Sequence, residues 1–353
     1  MKTFSKITAC HYVLPQTVLT NDDLSARFEP KKLKGISKLS GIFGRRVAPE
    51  GVTSVDLGTA AAQRMIDACG IDKNSFDMVV LATQTPDYVL PASAFVIHDR
   101  LGLPSTCGAF DISMGCAAFP YAAGAVNGLI ASGQCAKVLL VVADTITKLI
   151  NPKDRSLVPL HGDGAAAFVF EKSGGDEGLE FVEIGSEASG WRHLIVPDGG
   201  MRSPLTEKSY AEKTDESGIT TSDANLQMNG AAVFHFSIST VPEAIKGAMQ
   251  KRGLEVGGYS RILLHQANKM MLETIYAAIG ADAGQKFFFM EDIGNLSAAS
   301  TPVLLAEALR SGAVPENGRV LTASFGVGLT WGLASFKFGA LPKAAGASTV
   351  FEQ

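Results

Sequence analysis

The sequence lacks several features that would assign the protein to a special class. Its five cysteines form no C-x-x-C pair and no zinc-type spacing with the histidines, so we expect no metal. No apolar run approaches the roughly 20 residues that a membrane span needs. The N-terminal residues lead into strand-like sequence rather than a signal peptide. An odd number of cysteines then favours a reducing cytoplasm.

An excess of either charge is also missing. The 31 basic and 35 acidic side chains leave a net charge of −4, and the pI is about 5.9. This balance argues against nucleic acid as the main partner. By contrast, 46% of the 353 residues are hydrophobic, so the chain can bury a large core as two domains or one duplicated unit.

The most informative stretch covers residues 111–119, which read DISMGCAAF and lead into a run of small and apolar residues. Asp111 closes an apolar run, Gly115 allows a sharp turn, and residues 117–130 predict a buried helix. Cys116 would therefore lie at a helix N-terminus, where unpaired N–H groups and the helix dipole favour a thiolate. Because a free cysteine is more often a packing residue, Cys116 alone does not establish a site.

The order of predicted elements is repeated along the chain. In the first half, a strand and a helix precede a strand that ends at Asp111 and the Cys116 helix. In the second half, a strand that ends at His265 and a helix precede a strand that ends at Asp292 and a helix containing Asn295. This repeat predicts a duplicated βαβ-type unit with parallel strands and helices on both faces. Because ligand crevices lie beyond the carboxyl ends of such strands, duplication could bring these three polar residues together.

The repeat also predicts where the chain divides. Residues 1–175 form the half with the nucleophile candidate, and residues 176–353 form the half with the histidine and asparagine. Residues 187–225 interrupt the second half with a polar, glycine-rich surface excursion, and loops of this length are usually functional or mobile.

A basic patch lies in the first half, at Lys31, Lys32, Lys34 and Lys38. Most runs of like charge are simply solvated faces. On an acidic protein, however, a local group of cations could receive phosphates or an acidic carrier protein.

Five motifs resemble those of the thiolase superfamily, and specifically the β-ketoacyl-acyl carrier protein synthase III group. They are Cys116-Ala117-Ala118-Phe119, Gly162-Asp163-Gly164-Ala165, His265-Gln266-Ala267-Asn268, Gly294-Asn295-Leu296-Ser297-Ala298-Ala299-Ser300, and Phe325-Gly326-Val327-Gly328-Leu329-Thr330-Trp331-Gly332. The resemblance implies an α/β thiolase fold with five α-β-α-β-α layers, a homodimer, and an active site of Cys116, His265 and Asn295. It also implies CoA or phosphopantetheine thioesters as substrates, with no further cofactor.

The chemistry that the resemblance implies suits these residue types. The Cys116 thiolate would attack an acyl thioester and hold the acyl group. His265 and Asn295 would donate hydrogen bonds to a thioester oxygen, stabilising the enolate that forms when a malonyl group loses CO₂. The backbone N–H groups of Cys116 and Val327 would form the oxyanion hole for the acyl-enzyme. The sequence is thus identified as an acyltransferase that makes β-ketoacyl products from a malonyl thioester, in fatty-acid or specialised-metabolite biosynthesis.

The resemblance also implies contacts to the substrates. Arg155 matches a CoA-contacting arginine, and Asn268 matches a pantetheine-contacting asparagine. Gly35 and Leu39 stand where fatty-acid-initiating members carry the tryptophan and arginine that flank the adenine. These departures leave open whether acyl-CoA or an acyl carrier protein delivers the acyl group, and whether the acceptor is malonyl-CoA or a malonyl carrier protein.

Two alternatives remain open at this point. An enzyme of the same fold could transfer the acyl group to an oxygen or nitrogen nucleophile without decarboxylation. A catalytically silent partner subunit is the second alternative, although such subunits usually lose part of the triad. The five histidines other than His265 have no motif context that demands chemistry, and Gly162-Asp163-Gly164 is interpreted as structural.

Overall fold

The computed structural model describes residues 4–339, 343–344 and 349–351. Strands of the first half are β1 (Ser5–Pro15), β2 (Val18–Thr20), β3 (Gly44–Arg46), β4 (Met78–Thr83), β5 (Gly108–Ser113), β6 (Lys137–Asp144) and β7 (Gly164–Lys172). Those of the second are β8 (Gly178–Ser186), β9 (Leu194–Ile195), β10 (Lys213–Thr214), β11 (Thr220–Thr221), β12 (Gln227–Met228), β13 (Arg261–Leu264), β14 (Arg319–Gly326), β15 (Thr330–Lys337), β16 (Lys343–Ala344) and β17 (Thr349–Phe351). The helices are α1 (Asn21–Leu24), α2 (Pro30–Ser40), α3 (Ser54–Cys69), α4 (Ser93–Leu101), α5 (Ala118–Ala131), α6 (Gly230–Gln250), α7 (Lys269–Ile279) and α8 (Ser300–Arg310).

Two mixed sheets form the centre of the fold. The first has the order β16-β1-β7-β6-β4-β5, with β17 also paired to β1, and the second has the order β13-β14-β15-β8. Parallel pairing, as the repeat predicts, joins β4 to β5 and β6, and β13 to β14. β1 also pairs in parallel with β16 and β17. The ladders β1–β7, β6–β7, β14–β15 and β15–β8 are antiparallel. Within the repeated units, the prediction of parallel strands is therefore correct for β4, β5 and β6 and for β13 and β14, and the two sheets as a whole are mixed.

Five layers result from the way the helices cover these sheets. α5 and α8 lie between the two sheets and share one apolar core with side chains from both. α3 and α4 cover the outer face of the first sheet, and α6 and α7 cover the outer face of the second. The predicted α-β-α-β-α arrangement is confirmed.

Strand β6 shows why a central strand has a continuous apolar sequence. Val138, Leu140 and Val142 face the core between the sheets. Leu139, Val141 and Ala143 face α3 and α4. All six side chains are fully buried, and burying a large apolar side chain contributes roughly 1.5–3 kcal/mol. Alternate side chains thus stabilise opposite layers.

Capping residues set the helix bounds. Asp56 N–H donates to the Thr53 hydroxyl ahead of α3, and the Asp56 carboxylate accepts from Thr53 N–H at 2.7 Å. Helix α1 is capped in the same way. Thr20 is the cap, because its hydroxyl accepts from Asp23 N–H while the Asp23 carboxylate bonds back to Thr20 N–H at 2.8 Å.

The predicted strand that ends at Asp292 does not form. Lys286 makes one isolated parallel bridge to Ile262, and beyond it the Phe289 N–H donates to the side-chain oxygen of Gln266 at 2.9 Å. A side-chain acceptor thus replaces the strand partner, and the chain leaves the sheet. The helix predicted at residues 294–299 is also wrong, since only a 3₁₀ turn (Ser297–Ala299) precedes α8.

The polar excursion at residues 187–225 is ordered by short elements and one apolar anchor. It contains 3₁₀ turns at Ala188–His193 and Glu207–Tyr210 together with β9, β10 and β11. Where it ends, Leu226 packs with Ile146 and Ile150 of the loop after β6. The division into halves remains a prediction, and its outer bounds, residues 1 and 353, lie outside the described residues.

Candidate active site

A cavity of about 230 Å³ brings four predicted site residues together: Cys116, His265, Asn295 and Asn268. The first three are 8%, 2% and 8% exposed, so their polar atoms are largely shielded from bulk water. Most of the remaining wall is apolar. Two larger cavities, of about 430 and 800 Å³, are lined by none of these residues. Chemistry, and not size, therefore selects the small cavity as the candidate site.

Two glycines allow the backbone to close around the candidate nucleophile. Cys116 directly precedes Ala117, the N-cap of α5. A Cβ on Gly115 would lie 2.4 Å from Val327 Cγ1, and a Cβ on Gly326 would lie 2.7 Å from Cys116 Sγ. At such distances, a side chain at either position would force a neighbouring side chain to shift. The close approach brings the residues after β14 against the sulfur.

The surroundings of the Cys116 thiol act on its pKa in both directions. Burial raises the pKa of the Cys116 thiol, and the nearby Asp144 carboxylate acts in the same direction. Hydrogen bonds from Val327 N–H and the Ser297 hydroxyl lower the pKa without offsetting the burial. Burial therefore opposes the thiolate that the helix start is predicted to favour, and this activation remains a prediction. The thiol has to lose its proton when it reacts.

The two predicted oxyanion-hole groups lie beside the sulfur. Backbone N–H groups of Cys116 and Val327 both hydrogen-bond the thiol and so lower its pKa. An acyl group on Sγ would place its carbonyl oxygen within reach of donors at this position. The assignment of these N–H groups to the oxyanion hole remains a prediction.

His265 is a neutral imidazole held at the end of β13. The backbone N–H of His265 donates to the Ala323 carbonyl at 2.8 Å, and the imidazole ring packs edge-on against Phe325 with the ring centroids 5.6 Å apart. Burial lowers the pKa of His265 to about 3, and His161 adds to the shift. Within the described chain, buried Nδ1 has no hydrogen-bond partner. A neutral ring can still donate one N–H to a ligand.

Asn295 is oriented by its own side-chain oxygen. Oδ1 accepts from Ser297 N–H at 3.0 Å and from the Ser300 hydroxyl at 3.1 Å. The backbone is fixed as well, since Asn295 N–H donates to the Leu160 carbonyl at 2.8 Å. With the oxygen occupied by two donors, the NH₂ end is the part of the amide left for a ligand. The geometry makes Asn295 a donor.

Sequence analysis missed Asp144, a fully buried carboxylate at the end of β6. Its oxygens accept from the Thr83 hydroxyl at 2.9 Å, Gln84 N–H at 2.9 Å and Ala298 N–H at 3.0 Å. Burial raises the pKa of Asp144, and these hydrogen bonds oppose the shift. The carboxylate ties the first sheet to the turn after Asn295. The signal in the sequence that could have identified Asp144 is an acidic residue directly after a run of apolar residues in β6.

Asn268 has a second task beside lining the cavity. Its Oδ1 accepts from Met271 N–H at 2.8 Å, so it is the N-cap of α7. The cap fixes the side chain and leaves its NH₂ end available to a ligand. The predicted contact between Asn268 and pantetheine remains a prediction.

Arg155 lies apart from the other predicted residues. It lines the cavity of about 800 Å³ together with Gly35 and Leu39 of α2. Residues 216–219 of the excursion form another wall, and a Cβ on Gly218 would lie 3.7 Å from Arg155 Cζ. The structure thus groups Arg155 with the two positions that the resemblance assigns to the nucleotide end of CoA.

Metal and membrane features were searched over the described ranges. Within residues 4–339, 343–344 and 349–351, no group of three histidine, cysteine or acidic side chains could hold a metal ion. No helix of that part of the chain is both long and apolar enough to cross a bilayer.

Comparison with known proteins agrees with this architecture. Profiles described as 3-oxoacyl-[acyl-carrier-protein (ACP)] synthase III and its C-terminal part match residues 110–190 and 249–338. A β-ketoacyl-[acyl-carrier-protein] synthase III of Desulfitobacterium hafniense is 33% identical over 327 residues, covering 92% of this chain and 95% of the relative. A solved 3-oxoacyl-(acyl-carrier protein) synthase from Burkholderia xenovorans is 32% identical, with a TM-score of 0.90 over 99% of this chain and 97% of that one.

A further solved structure, the priming β-ketosynthase of the R1128 polyketide pathway, is 29% identical, with a TM-score of 0.84 over 97% of this chain and 98% of that one. The five-layered fold is that of the thiolase superfamily. Within it, the chain belongs to the β-ketoacyl-acyl carrier protein synthase III family.

Proposed function

We propose that this protein is a condensing acyltransferase that loads an acyl group on Cys116 and joins it to a malonyl thioester with loss of CO₂. His265 and Asn295 donate to the malonyl thioester oxygen, and the N–H groups of Cys116 and Val327 hold the acyl-enzyme oxygen. The product is a β-ketoacyl thioester, in fatty-acid or specialised-metabolite biosynthesis. These roles need only a thiol and hydrogen-bond donors, so no metal or redox cofactor takes part.

One observation carries the proposal: a thiol and two oriented neutral donors share a single desolvated cavity. A thiol there can hold an acyl group, and donors there are stronger than in water because the surroundings are of low dielectric. Asn295 Oδ1 already accepts two hydrogen bonds, so the side chain can offer a ligand its NH₂ group as a donor rather than its oxygen as an acceptor. A base that deprotonates an alcohol or amine acceptor would instead need an accepting atom at that position.

The test is to incubate the purified protein with acyl thioesters and malonyl thioesters and to measure CO₂ release and the β-ketoacyl product. Equal amounts of CO₂ and β-ketoacyl product support condensation. Acylation of Cys116 with transfer to an oxygen or nitrogen nucleophile and no CO₂ would favour the first alternative. No adduct with any acyl donor would favour the silent subunit.

We further propose that an acyl carrier protein delivers at least one substrate. Lys31, Lys32, Lys34 and Lys38 lie exposed on α2, whose Gly35 and Leu39 line the cavity that holds Arg155. A stacking aromatic and a cation are absent at these two positions, which weakens the expected grip on CoA. The cations nearby suit an acidic carrier, while Arg155 and Asn268 would contact the phosphopantetheine or CoA arm.

A homodimer is proposed from an open sheet edge and an exposed apolar loop. β5 ends the first sheet and pairs only with β4 among the described residues. Close to it along the chain, Val89 and Leu90 are each 79% exposed, and Tyr88 and Phe95 are more than half exposed. An unpaired edge beside apolar side chains invites association, and a second copy offers the same surface.

Two broader features also stay proposals. We place the protein in the reducing cytoplasm, because none of the five cysteines, all within the described residues, forms a disulfide. We also propose that residues 1–175 and 176–353 descend from one duplicated unit. The paired central helices α5 and α8, one from each half, support this origin.

A further inference from the structure

His161 is a histidine of the cavity wall to which no role has been given. Its ring is 8% exposed and lines the same cavity as Cys116, His265 and Asn295. It also lines a neighbouring internal cavity of about 200 Å³ with Arg45. The backbone of His161 forms an isolated parallel bridge with Asn295, so the loop that carries it is tied to the site.

The hydrogen bond of His161 fixes which nitrogen carries its proton. Nδ1 lies 3.2 Å from the Leu157 carbonyl oxygen. Because a carbonyl oxygen only accepts, Nδ1 must carry the hydrogen, and Nε2 of the neutral ring is an acceptor. No donor to Nε2 is found in the described part of the chain. His161 therefore brings an unprotonated, unoccupied nitrogen to the cavity.

The thiol of Cys116 requires such an acceptor. Burial keeps the pKa of the thiol above its ordinary value, so the proton is present when an acyl donor arrives. Of the polar side chains that line the cavity, only the two histidines have a basic nitrogen. In the proposed function, the nitrogen of His265 that meets the ligand carries a hydrogen and donates it, while Nδ1 of the same ring is buried away from the cavity. Neither nitrogen of His265 is then placed to take the thiol proton, which leaves His161 as the acceptor.

We propose that His161 is the base of the acylation half-reaction, an inference that rests on the proposed function. As Cys116 Sγ attacks the acyl carbon, its proton passes to His161 Nε2 and the new S–C bond forms. The tetrahedral intermediate then collapses, the bond from carbon to the pantetheine sulfur breaks, and the proton passes from Nε2 to that leaving thiolate. His161 returns to its neutral form, and no other reactant is consumed.

The charges around His161 fit a transient role. Burial lowers the pKa of His161, and the Asp154 carboxylate on the same loop opposes the shift. His265 and Cys116 face it from the second sheet and from the start of α5, and Arg45 and Arg27 line the cavity behind it. Burial keeps the ring neutral at rest, while Asp154 and the Leu157 carbonyl stabilise the short-lived imidazolium.

The experiment measures single-turnover acylation of Cys116 between about pH 6.5 and 9.5. Acetyl-, butyryl- and hexanoyl-pantetheine are the probes, and intact mass is the readout. His161→Asn retains a donor for the Leu157 carbonyl but has no basic nitrogen, and His161→Phe serves as a second variant. His98→Asn is the matched control, since His98 lies on α4 in an outer layer. Malonyl thioester decarboxylation is measured on every variant.

Wild type should acylate at a nearly constant rate from about pH 7 to 9. Both His161 variants should fall by about 10²–10⁴ at pH 7 and then gain roughly tenfold per pH unit as the thiolate fraction grows. Decarboxylation should fall far less than acylation. A loss that does not change with pH, an equal loss of both half-reactions, or no loss would overturn the assignment. A wild type that neither acylates nor releases CO₂ would overturn the proposed function itself, before any variant is made.

Discussion

The two junctions that carry Cys116 and Asn295 occupy matching places in the repeated pattern but have different structures. In the first half, β5 is a complete strand and Cys116 stands directly before the long helix α5. In the second half, no strand precedes Asn295, and a 3₁₀ turn separates it from α8. Ser297 in that turn has a φ of 52°, in the left-handed region.

The difference shows how one scaffold position can present two kinds of chemistry. A strand followed at once by a helix presents a short side chain among backbone N–H groups, which suits a nucleophile and an oxyanion hole. In the second junction, the 3₁₀ turn supplies Ser297 N–H and the start of α8 supplies the Ser300 hydroxyl. Both donate hydrogen bonds to the side-chain oxygen of Asn295. The second junction therefore presents an oriented side-chain donor.

Two glutamines, Gln84 after β4 and Gln266 after β13, also occupy matching places in the two halves and make different contacts. Gln84 follows β4, and its Nε2 donates to the Ser297 hydroxyl, so it joins the two junctions. Gln266 follows His265, and its side chain bonds to the Leu264 carbonyl at 2.8 Å and to Phe289 N–H at 2.9 Å. The first glutamine holds the site together, whereas the second replaces the missing strand.

The largest expected effect is in the first junction. Cys116→Ala should abolish covalent acylation by any acyl thioester, because no other thiol lines the cavity. Intact-mass analysis checks this. Cys135→Ala, which removes another buried thiol, should acylate like wild type. An adduct that survives in Cys116→Ala would move the nucleophile elsewhere.

His265, which faces both junctions across the cavity, should make the folded protein sensitive to acid. Burial lowers the pKa of His265 to about 3. Below pH 6.5 this histidine therefore binds a proton in the unfolded chain but not in the folded one. Folding stability is therefore lost as the pH falls from 6.5 toward 3, by about 3 kcal/mol at pH 4. Denaturant unfolding of wild type and His265→Gln at pH 7 and 4 measures it.

His265→Gln should lose correspondingly less stability in acid. Cys116→Ala is the matched control for this experiment, because a thiol with a raised pKa stays protonated throughout that window. An equal acid loss in wild type and His265→Gln would show that the imidazole does not carry the effect.

A smaller effect should follow from loosening Asn295. Ser300→Ala removes one of the two donors to Oδ1, so the amide can turn and present its oxygen to the substrate. We expect malonyl decarboxylation to fall about tenfold, which corresponds to about 1.4 kcal/mol, while acylation changes little. Ser132→Ala, at the far end of α5, is the control. Unchanged decarboxylation in Ser300→Ala would mean that Ser297 N–H alone orients the amide.

The sequence predicts the fold well where periodicity and packing agree. Both predicted pairs of a strand and a following helix form, β4 with α4 and β13 with α7, and alternate side chains of the apolar strand β6 enter two cores. The strand that should end at Asp292 fails, because Gln266 supplies a bond that no local pattern reveals.

The candidate site is predicted less completely than the fold. Motifs identify Cys116, His265 and Asn295, but they do not reveal the long-range contacts that orient these side chains and shift their pKa values. Asp144 meets Ala298 across 154 residues, and His161 reaches the cavity through a loop whose motif reads as structural. The raised pKa of Cys116 depends on burial, which is a property of the assembled layers.

The smallest effect concerns delivery. Reversing Lys31, Lys32 and Lys34 to Glu should slow acylation from an acyl carrier protein a few-fold at low salt, and the difference should shrink as salt rises. Acylation rates at two ionic strengths measure this, with the same reversal at Lys73, Lys246 and Lys251 as control. If charge reversal on α2 does not change the rate of acylation from the carrier protein, the basic patch is only a solvated surface.

The most direct test of the division between the junctions compares two half-reactions in one variant. Asn295→Ala should decarboxylate malonyl thioester about 10²–10³ more slowly than wild type, because one oriented donor is lost, and should still acylate Cys116. Asn74→Ala, on the exposed surface, should match wild type in both. Wild-type decarboxylation by Asn295→Ala, or acylation that fails together with decarboxylation, would contradict separate tasks for the two junctions.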